Sequence, residues 1–129
     1  MNKNYLKLIN RCYKTISDNI IRTPLQFSKR LSDIYGHNIY LKREDLQITR
    51  SFKIRGALHK ITKMYNLDKN FNIVCASAGN HAQGVAYACN LLDLKGDIFV
   101  PVKTPLQKID RINFYGKDNI NIHLYGDNF

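Results

Sequence analysis

The 129-residue sequence predicts an α/β protein in which helices flank a parallel sheet. From Asn38 onward, short apolar stretches alternate with amphipathic stretches in the order strand, helix, strand, helix, strand, helix, strand. Short apolar runs are typical of strands, whereas apolar residues spaced three and four apart indicate helices. This alternation is typical of βαβ units, and the ligands of such sheets bind where the strands end.

The first 37 residues are predicted to be mainly helical. Apolar residues at helical spacing run through residues 4–18. Thr23 and Pro24 then favour the start of a second helix, because threonine is a common N-cap residue and proline is tolerated at the first helical position. That helix is predicted to run to Tyr35 and to end at Gly36, a residue type that favours helix C-termini.

The sheet is predicted from four short strands. They cover residues 38–42, 72–76, 95–101 and 119–125, and the last has its apolar residues in alternation. The continuous apolar run in residues 72–76 indicates a buried strand. Three helices are predicted between the strands: one that opens near Ser51, one over 81–92, and one over 105–115 that stops at Gly116.

Composition and charge narrow the functional classes. A formal net charge of +10 is typical of proteins that bind polyanions, but the 20 lysine and arginine residues are spread along the whole chain. The apolar runs are too short to span a membrane and the first residues lack the apolar core of a signal peptide, so we expect a cytoplasmic protein. Cys12, Cys75 and Cys89 lack metal-site spacing, so we expect reduced core thiols, without a zinc site or a disulfide framework.

Lys53 is the first candidate catalytic residue. Ser51 is a candidate N-cap, so the lysine is placed at the opening of an amphipathic helix, near the positive end of the helix dipole. The dipole, the cation Arg55 and the apolar neighbour Phe52 all favour the neutral, nucleophilic form of the amine that a Schiff base requires. The alternative is a solvated surface lysine, which is the usual environment of this residue type.

The second candidate site is the loop of residues 77–81, with the sequence SAGNH, which follows a predicted strand and leads into a helix. It combines a hydroxyl, a glycine, an amide side chain and a helix N-terminus, which together suit a carboxylate or a phosphate. The alternative is structural: Gly79 would serve the turn, Asn80 would cap the helix, and His81 would follow without a role. The residues alone leave both interpretations open.

Three motifs carry a resemblance to a known family. They are LKREDLQ at residues 41–47, RSFKIRGA at 50–57 and ASAGNHAQGVA at 76–86. In this order and spacing they closely resemble the threonine dehydratases, which are pyridoxal-phosphate enzymes of the tryptophan-synthase-β-like fold. Similar stretches also occur at residues 23–25, 101–116 and 126–129, so the resemblance covers nearly the whole chain.

The resemblance implies roles for the two candidate sites. Lys53 would form the Schiff base with the cofactor and then act as the base at the substrate Cα, with Phe52 flanking the cofactor. Asn80 would hydrogen-bond the phenolic oxygen of the cofactor. The substrate carboxylate would be held by a group that we call the cradle, which consists of Ser77, Ala78, Gly79, Asn80 and His81. The implied reaction is the α,β-elimination of L-threonine to 2-oxobutanoate and ammonia, in isoleucine biosynthesis or threonine catabolism.

The sequence also departs from that family. Its members hold the cofactor phosphate in a run of adjacent glycines further along the chain, whereas the seven glycines here are never adjacent. We therefore expect an N-terminal portion of such an enzyme, with residues 1–40 as an incomplete helical segment of the large domain and residues 41–129 as the small α/β domain. On this expectation the C-terminal catalytic half is absent and the isolated chain is inactive. Its candidate partners are a complementing half or further copies of the chain.

Two alternatives stay open at this point. One is a non-catalytic basic binding module or an inactive gene remnant, and the net charge is the only observation that supports it. The other is a serine dehydratase or a β-replacement enzyme of the same fold. An amino-acid substrate is expected in the favoured interpretation, and neither nucleic acid nor a membrane is an expected partner.

Overall fold

The amino-terminal part of the structure is a helix followed by a small antiparallel sheet. The computed structural model describes residues 3–128. Helix α1 (Lys3–Ile16) is amphipathic, as predicted, and packs on helix α3 (Lys53–Leu67). Strand β1 (Leu25–Phe27) pairs with β2 (Tyr40–Lys42), and α2 (Lys29–Tyr35) lies between them in sequence.

The carboxyl-terminal part is a parallel sheet with helices packed on it. Strands β3 (Ile73–Ala76), β4 (Gly96–Val100) and β5 (Ile120–Leu124) lie in the order β3-β4-β5. Helix α4 (Asn80–Leu92) connects β3 to β4, and α5 (Leu106–Gly116) connects β4 to β5, which are the crossovers that parallel strands require. The predicted α/β architecture is therefore confirmed.

The core lies between the parallel sheet and helices α3, α4 and α5. Ile54, Leu58, Ile98, Val100 and Ile112 are each no more than 1% exposed. Burial of such side chains is the main stabilising contribution, and it fixes the helices on the sheet. Within residues 3–128, no helix is both long and apolar enough to span a membrane.

The second predicted helix begins later than expected. Thr23 and Pro24 do not start it: residues 25–27 form a strand, and Ser28 is the N-cap residue of α2. The strand is favoured by a cross-strand contact, in which the Phe27 ring meets the ring of the β2 tyrosine edge to face with centroids 5.4 Å apart. The predicted end of the helix is confirmed, because Gly36 adopts a left-handed φ of 67°.

Strand β2 does not belong to the parallel sheet, contrary to the prediction. It pairs antiparallel with β1, with Leu25 opposite Lys42 and Phe27 opposite Tyr40. The error follows from the previous one, because a helical assignment of residues 25–27 left the parallel sheet as the only partner for β2. The parallel sheet has three strands, so the loop after β2 does not lie at one of its strand ends.

Strand β3 is buried on one face only, although its continuous apolar run predicts a buried strand. Ile73 and Cys75 face the helices and are buried, whereas Val74 is 65% exposed and Ala76 is also exposed. Successive side chains of a strand point to opposite faces, so the described residues leave one face of the sheet open at β3. Parallel sheets are usually covered on both faces.

The cysteines are free thiols in different environments. Cys75 and Cys89 are buried in the core, as expected, whereas Cys12 is only partly buried. Burial raises the pKa of Cys89 to about 11. A thiol with this pKa is a poor nucleophile at neutral pH, so Cys89 acts as a small apolar side chain.

Helix α5 ends at a position with no room for a side chain. Gly116 is the last residue of α5, and a Cβ added there would overlap the Ile120 side chain, with Cδ1 only 2.8 Å away. The left-handed φ at this helix end, 48°, belongs to Lys117. Close packing, not backbone conformation, therefore requires glycine at position 116.

We expect Gly116→Ala to lower the free energy of unfolding by about 1–3 kcal/mol, because the added methyl group overpacks the contact with Ile120. Gly56→Ala in α3 is the matched control, since a Cβ at Gly56 meets no atom within 4 Å and alanine favours the helix. Urea unfolding of both variants measures the difference. Equal stabilities would contradict the packing argument.

Candidate functional site

Lys53 is the first residue of α3, and its side chain is exposed. The Ser51 hydroxyl accepts a hydrogen bond from the Lys53 backbone N–H at 3.2 Å, so the serine satisfies one of the free amides of the first turn. The N-cap residue of α3 is Phe52, not the predicted Ser51. The predicted placement of Lys53 at a helix opening is confirmed.

The two neighbours of Lys53 act differently from the expectation. Its Nζ lies 5.3 Å from the centroid of the Phe52 ring, and that ring is 59% exposed. The face of an aromatic ring attracts a cation, so Phe52 is a cation–π partner and not an apolar cover. The Arg55 guanidinium is paired with the Glu44 carboxylate at 2.8 Å, which balances its charge.

The loop after β3 lies at the C-terminal end of a strand of the parallel sheet, as predicted. The Ser77 backbone N–H donates to the Phe99 carbonyl of β4 at 3.1 Å, and the Ser77 hydroxyl accepts from the Gly79 N–H at 3.3 Å. Helix α4 begins at Asn80, with Gly79 as its N-cap residue. The alternative in which Asn80 caps the helix is therefore wrong.

The first turn of α4 has backbone donors that no side chain uses. Among residues 3–128, no side chain accepts a hydrogen bond from the N–H groups of Asn80, His81 or Ala82. These groups lie at the positive end of the α4 dipole, where anions are stabilised. Gly79 leaves space beside them, since a Cβ there would meet no atom within 4 Å. Its φ of −120° is ordinary extended backbone, which any residue can adopt. Neither conformation nor packing within the described chain requires this glycine, and the open space suits an anion that approaches the backbone.

Helices α3 and α4 cross close to both of their N-termini. A Cβ added at Gly84 would lie 3.2 Å from both the N and the Cα of Ile54, so the two backbones are in near contact. Ile54 directly follows Lys53, and Gly84 lies about one helical turn after Asn80. This crossing therefore holds the N-terminus of α3, which carries Lys53, beside the N-terminus of α4, which has free N–H groups.

His81 contributes differently from the rest of the cradle. His81 lines an apolar cavity of about 250 Å³ between α3, β3 and α4, together with Gly56 and Val85. Neither Lys53 nor Asn80 lines that cavity. His81 can offer its backbone N–H to the cradle, and it also borders the neighbouring cavity.

Glu44 is a residue of this region whose role no sequence pattern predicted. Its carboxylate accepts hydrogen bonds from Arg55 Nη2 at 2.8 Å and Nε at 2.9 Å, and from the Thr23 hydroxyl at 2.5 Å. The hydrogen bonds from Arg55 are the main reason that the pKa of Glu44 lies below its usual value. Glu44 is the only glutamate in the chain and lies in the first of the three motifs, which is the signal that could have drawn attention to it.

The Glu44–Arg55 pair predicts a pH-dependent contribution to stability. A carboxyl whose pKa is lower in the folded state stabilises the fold fully above its ordinary pKa of 4.5, and this contribution is lost as the pH falls through the folded-state value. We expect Glu44→Gln to lower the free energy of unfolding by about 1.5–3 kcal/mol at pH 7. The difference from the parent should shrink below pH 4.5, as measured by urea unfolding at several pH values.

The matched control for Glu44→Gln is Asp45→Asn. Asp45 pairs with Arg43 at 2.7 Å, but its side chain is 59% exposed, and exposed pairs contribute little to stability. A Glu44→Gln effect that is the same at pH 3 and pH 7 would contradict the role of the ion pair.

The sequence matches one family model over most of its length. The match is to the model described as pyridoxal-phosphate-dependent enzyme, over residues 16–129. The chain is 50% identical over 124 residues to the biosynthetic L-threonine dehydratase of Bacillus subtilis, which covers 96% of this chain and 29% of that protein. The first curated relatives are all considerably longer, and the chain spans 28% to 30% of their length.

Solved structures with the same fold include enzymes of two reaction types. The processed form of threonine deaminase isoform 2 from Solanum lycopersicum superimposes with a TM-score of 0.80 and 38% identity, over 100% of this chain and 37% of that one. A pyridoxal 5'-phosphate-dependent aspartate racemase superimposes with a TM-score of 0.84 and 31% identity, over 94% of this chain and 37% of that one. The fold therefore indicates a class of cofactor more clearly than it indicates a single reaction.

Proposed function

The chain belongs to the pyridoxal-phosphate-dependent enzyme family, and on that basis we propose that it supplies the lysine and the carboxylate cradle of an L-threonine dehydratase. The proposed reaction is the α,β-elimination of L-threonine to 2-oxobutanoate and ammonia, in isoleucine biosynthesis or threonine catabolism. The names of the curated relatives support this substrate. The observation that carries the proposal is the crossing at Gly84 and Ile54, which brings the helix opening that begins with Lys53 close to the uncapped N-terminus of α4.

Lys53 is proposed to bind the cofactor covalently and then to remove the proton from the substrate Cα. Its exposed amine is accessible to an aldehyde carbon. When bound, pyridoxal phosphate supplies the electron sink that stabilises negative charge at Cα. The Phe52 ring, which already lies beside the lysine, is proposed to flank the cofactor.

The cradle is proposed to hold the substrate carboxylate. The free N–H groups of the first turn of α4 are charge-complementary to a carboxylate, and the space beside Gly79 lets the ligand approach them. The exposed amide side chain of Asn80 is proposed to hydrogen-bond the phenolic oxygen of the cofactor. A carboxylate fixed at this helix opening would orient Cα toward the opening of α3, where Lys53 can move its proton.

The described residues fit only part of the cofactor. They offer an amine and one anion-binding helix opening, whereas a second anion site for the cofactor phosphate is not apparent in a sequence without adjacent glycines. Lys53, Phe52 and Asn80 are all exposed, so further groups are needed to exclude water from the reaction. We propose that a complementing polypeptide supplies those groups.

The domain division of the parent enzyme is part of the same proposal. Residues 1–40 are assigned to the large domain and residues 41–129 to the small domain. The assigned boundary falls inside β2, so the β1–β2 sheet would join the two parts.

The Bacillus subtilis relative allows a direct test of the proposed function. In a chimera, this chain replaces the matching segment of that enzyme, and 2-oxobutanoate and ammonia are measured with L-threonine and, in parallel, with L-serine. We expect turnover of L-threonine with a higher kcat/KM than that of L-serine, and no turnover by the isolated chain. A folded chimera that eliminates neither substrate would contradict the proposal, and one that prefers L-serine would contradict the proposed substrate.

A further inference from the structure

Glu44 lies at the centre of a polar network that joins the opening of α3 to the segment before β1. Its carboxylate accepts two hydrogen bonds from Arg55 and one from Thr23, which is only 3% exposed. The side chains of Glu44 and Arg55 are 16% and 27% exposed, so the pair is shielded from most of the solvent. A bidentate pair of this kind has a defined geometry as well as a favourable energy.

The same segment is held by four further hydrogen bonds, which three side chains make. Arg55 Nη2 also donates to the Ile21 carbonyl at 3.1 Å, and Lys42 Nζ donates to the Thr23 carbonyl at 2.6 Å. The amide of Gln47, which is 1% exposed, accepts from the Ile21 N–H and donates to the Ile21 carbonyl, each at 2.8 Å. Residues 21–23, the loop after β2 and the first turn of α3 are therefore fixed to one another.

We propose that Glu44 is a positioning residue for Lys53, which acts by fixing Arg55 and with it the first turn of α3. This inference rests on the proposed function, in which the Lys53 amine must meet a carbonyl carbon in a defined position. Arg55 lies in the same helical turn as Lys53, so an anchored guanidinium limits the motion of the backbone that carries the amine. The backbone N–H of Lys53 is held separately by the Ser51 hydroxyl at 3.2 Å, a neutral and weaker contact.

The pair also removes a competing anion-binding group. A free guanidinium at the opening of α3 would bind carboxylates and phosphates, because its planar donors match both. Since Glu44 occupies two of those donors, the Arg55 guanidinium is less available to an anion beside Lys53.

The first test is hydrogen exchange of the isolated chain, which needs no cofactor. In Glu44→Gln we expect amide exchange in a peptide spanning the first turn of α3 to rise by about tenfold or more, because a charge-assisted hydrogen bond shifts a local opening equilibrium by at least that factor. Any rise of exchange in α5 should not exceed the loss of global stability measured by urea unfolding, which separates local opening at α3 from global unfolding. Asp45→Asn, which removes the neighbouring exposed pair with Arg43, should alter neither peptide. Unchanged exchange at α3 in folded Glu44→Gln would overturn the proposal.

The second test measures the amine itself in the chimera. Pyridoxal phosphate is added, samples are reduced with borohydride at intervals, and peptide mapping gives the rate of attachment at Lys53 relative to the exposed Lys63 of the same helix. We expect this ratio to fall by about tenfold or more in Glu44→Gln, since small misplacements of a reacting group are costly. A ratio equal to that of the parent chimera would overturn the positioning role.

Two features of the design keep the outcomes separate. If Glu44→Gln does not fold, Arg55→Lys retains the charge without the bidentate geometry, and it should raise exchange at α3 and lower the labelling ratio in the same directions. If the parent chimera shows no preference for Lys53 over Lys63, the proposed function fails. The exchange experiment on the isolated chain would still report whether Glu44 fixes the opening of α3.

Discussion

Replacement of Lys53 by alanine in the chimera is expected to lower kcat for L-threonine by about 10³-fold or more. The amine is proposed to hold the cofactor and to move the proton at Cα, and proton transfer by a positioned group alone contributes roughly 10²–10⁴-fold. Steady-state kinetics at saturating pyridoxal phosphate measure the effect.

The control for this variant lies on the same helix. Lys63→Ala removes another exposed amine of α3 and should leave kcat close to that of the parent chimera. Circular dichroism of both variants establishes that they are folded. A Lys53→Ala turnover within about tenfold of the parent would exclude the proposed role, because it corresponds to less than about 1.4 kcal/mol of barrier.

Gly84→Ala is expected to lower the free energy of unfolding of the isolated chain by about 1–3 kcal/mol. The added Cβ would lie 3.2 Å from the N and Cα of Ile54 and 3.3 Å from the Ala57 Cβ. Backbone atoms of a packed helix cannot rotate away as a side chain can, so α4 must shift on α3. That shift would also separate Lys53 from the N-terminus of α4, and in the chimera we expect kcat/KM for L-threonine to fall.

Gly79→Ala separates the packing effect from the effect on the cradle. A Cβ at Gly79 meets no atom within 4 Å, so urea unfolding should give nearly the same stability as the parent chain. In the chimera the same methyl group would fill the space proposed for the carboxylate, and KM for L-threonine should rise. Loss of stability in Gly79→Ala with an unchanged KM would contradict the cradle assignment.

The regular part of the fold could be predicted from local sequence patterns. Helix α4 and strands β4 and β5 lie within one or two residues of their predicted bounds, because their periodicity and their glycine and proline boundaries are local features. The position of Lys53 at the opening of α3 and that of the cradle after β3 follow from the same patterns.

The incorrect predictions concern contacts between distant residues. Thr23 and Pro24 match a helix start, but strand pairing of residues 25–27 with β2 outweighs that local preference. Val74 belongs to an apolar run, but its exposure depends on which elements cover the sheet. The bonds of Glu44 with Arg55 and Thr23 join residues 11 and 21 positions apart, so no local pattern encodes them.

The central claim is that Lys53 is the cofactor-binding amine and lies beside an anion-binding helix opening. Borohydride reduction of the parent chimera with pyridoxal phosphate, followed by peptide mapping, tests it most directly. We predict that the phosphopyridoxyl group is found on the peptide containing Lys53 and that L-threonine added before reduction lowers this labelling. Labelling of another lysine, such as Lys42 or Lys60, with Lys53 unmodified would contradict the claim.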